Sequence, residues 1–242
     1  VSRPSKTRNN KIDTMSKTTN NKVETSNMEA VTTEVVATKP TAIITNESGL
    51  MMDSSDIDIP RINLVQKTSD INAPVGSVVV DKKHVLLKPD EPAEVVVLAA
   101  IKGWREDIPY DDDGIPRIAY TPEDMQAIAA QSDYDMLEFA EITLMFKQPE
   151  GSEDEEAYPF PIGDHQYAIG KINVAKDAYR QTYKRLATFA AFNKSVPLQN
   201  KLWNFESSLM TKGKYSWYAP SLSTTQKQPD AAVLEFTANF SR

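Results

Sequence analysis

The sequence contains no cysteine. That removes disulfides, thiolate nucleophiles, zinc–thiolate centres and iron–sulfur clusters together. Histidine is nearly absent too: His84 and His165 are the only two, which leaves little for imidazole metal sites or catalytic triads. No run of about 18 apolar residues occurs, so no segment reads as a membrane span. The N-terminus holds no apolar stretch of the signal-peptide kind, which points to a cytoplasmic life. Catalytic signatures are missing as well. Gly163 to Gly170-Lys171-Ile172 has the wrong spacing for a P-loop and lacks its hydroxyl. Asp111-Asp112-Asp113-Gly114 hints at calcium, but its glycine comes too early and Pro122 stands where an EF-hand needs an acid. No Gly-x-Ser-x-Gly elbow is present. Asp81-Lys82-Lys83 matches part of a nuclease pattern without an upstream acid at a strand end, so a metal-dependent nuclease has little support. Nothing asks for a cofactor or a metal, and a binding protein is favoured over an enzyme.

The chain has 242 residues, 40% of them hydrophobic, and a formal charge of −7. This suits one generous domain or two small ones with a real core. Residues 1–56 are dense in Thr, Asn, Ser and Lys without a single aromatic, and read as a disordered tail. A single domain is expected over 57–242. Ile57 to Val65 alternates as a half-buried strand does, with Pro60 placing it at an edge. Ser77–Val80 and His84–Leu87 read as a hairpin around Asp81-Lys82-Lys83. The valine-rich run from Ala93 to Trp104 reads as a central strand, with Gly103 marking a bulge or a close approach. Thr121-Pro122-Glu123-Asp124 opens a helix expected to reach Gln131. Strands follow at Leu137–Phe146 and Tyr167–Val174, then the best helix of the chain, Lys176–Asn193. A second hairpin joins Lys201–Met210 to Lys214–Ser221, and Asp230–Phe240 suits either a helix or a strand. The expected class is α+β, a small OB-like β-barrel with two or three inserted helices, since closure hides strand edges.

Net charge conceals an asymmetry. Residues 57–164 carry 9 basic and 23 acidic residues, a balance of −14, whereas 165–242 carry 11 basic and 4 acidic, a balance of +7. The basic third also holds 12 of the 20 aromatics. Cations beside rings suit single-stranded nucleic acid: the cations neutralise phosphates and the rings stack on unpaired bases. Solvated faces and core aromatics would give the same composition, so position has to separate the two readings.

In the second hairpin, pairing Thr211 with Lys214 puts Met210 opposite Tyr215 and Ser208 opposite Trp217. One face then holds Asn204, Glu206, Ser208, Met210, Tyr215 and Trp217, the other Trp203, Phe205, Leu209 and Tyr218. The second set is apolar and should face the core. The first displays two rings among polar residues, with Lys212 and Lys214 at the tip. In the long helix Tyr179, Tyr183, Leu186 and Ala190 should pack inward while Lys176, Arg180 and Lys184 form a basic stripe. Lys102, Trp104 and Arg105 make a third basic–aromatic cluster, whose tryptophan fits the core better than a base platform. Glu153-Asp154-Glu155-Glu156 reads as a solvated acidic loop; its functional alternatives are mimicry of nucleic acid at the basic groove or docking of a basic partner.

The string Ile-Pro-Arg-Ile-Asn-Leu-Val-Gln at 59–66, Gly76-Ser77 with its hairpin, the valine-rich strand ending in Trp104 and the Lys-Gly-Lys-Tyr-Ser-Trp-Tyr hairpin at 212–218 together form a pattern. It resembles a group of tailed-bacteriophage proteins of the single-stranded-DNA-binding, OB-fold kind, over about residues 57–225. The chain departs from many of them in ending Asn-Phe-Ser-Arg rather than in an acidic tail. The resemblance implies a non-enzymatic protein that coats or chaperones single-stranded DNA in replication or recombination, in the cytoplasm of an infected bacterium. Replication or recombination proteins and further copies of the chain would be its other partners. The rival expectation is a phage structural or adaptor protein whose basic third docks an acidic protein.

Overall fold

A computed structural model describes residues 58–240 apart from 110, 111 and 153, together with two short strands, β1 (Ile44–Thr45) and β2 (Met51–Met52). All of them belong to one unit of the chain, Thr41–Arg242. β1 and β2 pair antiparallel, a small hairpin inside the span expected to be a disordered tail. The rest of that tail lies outside the described residues.

Three short strands, β3 (Ile62–Leu64), β4 (Val78–Val80) and β5 (His84–Leu87), form an antiparallel sheet. The β4–β5 turn places Asp81 and Lys82 at φ of 51° and 57°, as the tight hairpin read from the sequence requires. A second, seven-stranded sheet follows. Its strands are β6 (Ala93–Glu106), β7 (Ile118–Ala119), β8 (Met136–Lys147), β9 (Phe160–Ile162), β10 (His165–Ala175), β11 (Leu202–Lys212) and β12 (Tyr215–Thr224). The spatial order is β12-β11-β6-β8-β10-β9, with β7 on β6 beyond the end of β11. Helix α1 (Pro122–Ala129) lies between β7 and β8, α2 (Lys176–Gln181) and α3 (Tyr183–Phe192) between β10 and β11, and α4 (Ala231–Phe240) follows β12. The fold is α+β with antiparallel sheets, and Asp230–Phe240 resolves as a helix. Among the described residues no helix is long and apolar enough to cross a membrane.

The central strand β6 explains why the sheet is covered on both sides. Val95, Val96, Val97 and Leu98 are all buried, a continuous apolar run rather than an alternation. Val95 and Val97 join a core with Phe146, Ile142, Trp203, Phe205 and Leu222, closed by the small sheet and by Tyr179 and Leu186 of α2 and α3. Val96 and Leu98 join Met145, Tyr167 and Ile169 under Val233 and Phe236 of α4. The register slips between Val97 and Ala99. This bulge inverts the phase of β6, so Ala100, Lys102 and Trp104 continue the face that Val95 and Val97 began. Gly103 is a close approach, since a Cβ there would stand 2.6 Å from the Phe139 ring.

The large sheet is open rather than the closed barrel expected. Among the described residues no ladder joins β10 to β12, because the segment leading into β3 lies between them. Pro60 lacks a donor but its carbonyl accepts from the Lys171 amide at 2.8 Å, next to a single parallel bridge between Arg61 and Lys171. On the other side the Gln66 side chain substitutes for a strand. Its Oε1 accepts from the Tyr218 amide at 2.9 Å and its Nε2 donates to the Tyr218 carbonyl at 2.8 Å. Further along the same outer edge Pro220 has no amide hydrogen to offer, and the Leu222 carbonyl accepts from Arg185 Nη1 at 3.0 Å. Gly76 brings this junction together. Its φ is +95°, and a Cβ there would meet the Tyr218 ring at 2.6 Å. Its carbonyl accepts from the buried Ser207 hydroxyl at 2.8 Å.

Candidate nucleic-acid interface

The β11–β12 hairpin turns at Gly213-Lys214, with Gly213 at φ 60°. Lys212 therefore pairs with Tyr215, and Met210 with Trp217. This corrects the expected pairing of Thr211 with Lys214. The correction moves each partner by two residues, so both faces keep their members, but only part of the face expected in the core is buried: Trp203 and Phe205 are, Tyr218 is half-buried and Leu209 is 53% exposed, while Lys212, Tyr215 and Trp217 share the other face. Tyr215 is 65% exposed, with Lys214 Nζ 5.3 Å from its ring centroid. Trp217 is half-buried. Met210 beside it accepts a 3.5 Å hydrogen bond from Gln181 Nε2 at the end of α2.

The single helix expected over Lys176–Asn193 is broken at Thr182, whose φ of −118° and ψ of −83° end α2 and start α3. The Thr182 hydroxyl bonds back to the Ala178 carbonyl at 2.6 Å, a local bond that competes with helix continuation. The basic stripe loses its first member. Lys176 sits at φ 53°, and its ammonium pairs with Asp107 at 3.1 Å. Ala190, expected inward, is exposed, whereas Tyr179 and Leu186 are buried as expected. Tyr183 stacks on Tyr179 at 5.1 Å.

Arg180 and Lys184 do converge, on a groove of about 590 Å³ between α3 and the β11–β12 ribbon. Arg185, Phe189 and Phe192 line it with them, and none of the lining residues is acidic. Arg180 retains an ion pair with Asp177 one turn back. Phe189 is anchored edge-to-face on Trp203 at 5.1 Å, whereas Phe192 is 85% exposed. Sequence reasoning missed Arg185 and Phe192. The signal was spacing: Arg185, Thr188 and Phe192 stand at i, i+3 and i+7, one helical face.

The cluster of Lys102, Trp104 and Arg105 divides between the two faces of β6. Arg105 pairs with Leu137 and Ile118 on the face opposite Lys102 and Trp104. Lys102 donates to Glu138 at 2.5 Å, which raises its pKa, and its ammonium covers the Trp104 ring at 4.6 Å. Both the charge and the ring face thus have partners inside the fold. By contrast Lys184, Arg185, Lys212 and Lys214 form no ion pair among the described residues, although Lys184 and Lys214 lie 5.9 and 5.3 Å from the ring centroids of Tyr179 and Tyr215. The acidic loop forms a short turn, Glu155–Ala157, that lies against β5. Asp154 stands 3.2 Å from His84 Nδ1, and the Tyr158 hydroxyl donates to the Leu86 carbonyl at 3.3 Å. Burial pushes the Tyr158 phenol up to about 12. None of the turn's residues lines the α3 groove.

In comparisons with known proteins the chain matches no family model, no curated protein and no solved structure.

Proposed function

We propose that the protein binds single-stranded DNA without base preference, coating or chaperoning it during phage DNA replication or recombination in the cytoplasm of the bacterial host. The observation that carries this reading is the hairpin tip. Two lysines without ion-pair partners among the described residues flank an exposed tyrosine, with a tryptophan on the same face two residues further along β12. Ammonium groups left unpaired lose little by meeting phosphate and gain the entropy of released counterions. An exposed ring adds ~1–3 kcal/mol for each base it stacks.

The strand order supports the same reading. Numbered first to fifth along the chain, β6, β8, β10, β11 and β12 pair first with second and fourth, second with third, and fourth with fifth. The helical segments α2 and α3 stand between third and fourth. We read this Greek-key order as an OB-like barrel left partly open, with β3 lodged in the gap. OB folds bind oligonucleotides at the loop between strands four and five among other places, and here that loop is the Gly213-Lys214 turn.

Titration with oligo-dT tests the proposal. Tryptophan fluorescence should be quenched at low salt, chiefly through Trp217, since Trp203 is fully buried and Trp104 is covered by Lys102. Affinity should fall with salt at a log–log slope of about −0.7 per phosphate contact. Absence of both quenching and any mobility shift at low salt would reject it in favour of the adaptor reading.

A further inference from the structure

The groove along α3 carries a second contact surface. We infer that it holds a further stretch of the same single strand, with Phe192 stacking on a base while Lys184 and Arg185 meet the flanking phosphates; this rests on the reading just proposed. Three independent features of the groove point to such a ligand. Its lining contains three cations and no carboxylate, and two of the cations, Lys184 and Arg185, have no ion-pair partner among the described residues, Arg180 alone being paired, with Asp177. Arg185 is held by its bond to the Leu222 carbonyl, which fixes one edge of the guanidinium and leaves its other donors for a ligand. Phe192 lies 85% exposed on the same helical face as Arg185 and Thr188, where it adds nothing to the core and offers a free ring to a base.

An acidic peptide adding to the sheet is the other occupant a basic groove could take. The edge of β12 argues against it. Tyr218 is already bonded on its outer side by Gln66, Pro220 has no donor, and the Leu222 carbonyl is taken by Arg185. An added strand would find few ladder groups open. A ligand read through phosphates and ring faces needs none of them.

The test uses the full chain and a poly-dT long enough to span both surfaces, about 20 nucleotides or more. Phe192→Ala combined with Lys184→Gln should weaken binding by about ten-fold, the scale of one lost stack. It should also make the salt slope shallower by about 0.7 and reduce the number of nucleotides covered per protein at saturation. Circular dichroism and the thermal midpoint should not move. Phe192→Trp should retain affinity and add a quenching signal that the parent lacks. The inference is overturned if the double variant matches the parent in affinity, slope and covered length while hairpin variants lose binding. It is overturned equally if the fluorescence added by Phe192→Trp ignores DNA that the protein binds. If the parent binds no single strand at all, the proposed function itself has failed. If poly-glutamate binds the parent and loses that binding in the double variant while DNA affinity is the same in both, the groove is a peptide site and the inference is likewise overturned.

Discussion

The connection from β6 to β8 and the stretch from α3 to the β11–β12 hairpin treat their charges in opposite ways. In the first, the buried carboxylate of Glu106 accepts from Arg117 Nε, Nη2 and the Arg117 amide at 3.0, 2.7 and 2.8 Å, and from the Ser132 hydroxyl at 2.5 Å. Tyr134 donates to Asp112, and the Thr121 hydroxyl accepts from the Asp124 amide to cap α1. Glu106, Asp112 and Asp124 are thus satisfied by the chain itself. In the second, Lys184, Lys212 and Lys214 lack carboxylate partners among the described residues, and Tyr215 and Phe192 face solvent. The first arrangement holds a long connection in place; the second leaves three lysines without a carboxylate among the described residues, which is the basis of the proposed function.

The comparison can be broken by mutation. Lys212→Gln, Lys214→Gln and Tyr215→Ala together should lower affinity for oligo-dT on the order of 100-fold at low salt. Their thermal midpoint should hardly change, since none of the three is buried. A large fall in midpoint would place them in the first class of region. Glu106→Gln should do the reverse: several degrees lost from the midpoint, with DNA affinity unchanged. Arg117 and Ser132 hold the Glu106 carboxyl at about 2, well below its ordinary 4.5. Its contribution to stability is therefore complete above pH 4.5 and is lost as pH falls towards 2. The Glu106→Gln protein should lack that component of acid unfolding, measurable as a smaller midpoint difference between the parent and the variant at about pH 2 than at about pH 6. Trp217→Phe should abolish most of the DNA-dependent quenching while changing affinity only a few-fold, because a ring remains. The smallest effect belongs to Thr121→Ala. Loss of the cap costs about 1 kcal/mol, and α1 buries no residue, so hydrogen exchange should quicken in α1 with no change in binding.

Much of this contrast was legible beforehand, and the exceptions have physical causes. The hairpin faces survived an error in the turn because a shift of two residues preserves a period of two. The helix break at Thr182 was hidden, since one threonine changes helix propensity too little to stand out against a favourable window. Lys176 is drawn off by its pair with Asp107, so the face of α3 has to be counted from Arg185, and Phe192 then comes into line with it at i+7. The split of Lys102 and Trp104 from Arg105 follows strand alternation and could have been read directly. The face that Lys102 shares with Trp104 is set by a bulge at Leu98 that no glycine announces. Closure of the barrel was expected from strand count alone, whereas the interruption depends on Gln66 meeting Tyr218 across 152 residues of sequence.

Each terminal strand of the large sheet carries a proline, Pro161 in β9 and Pro220 in β12, and the outer rim of β12 is further occupied by one glutamine and one arginine. If the proposed strand-coating role holds, molecules crowded side by side on a shared filament would reach local concentrations where bare sheet margins template fibrous self-stacking. A rim already occupied from within would allow such crowding without that hazard, and under the same proposal neighbours could assemble and disperse as their track is exposed and withdrawn.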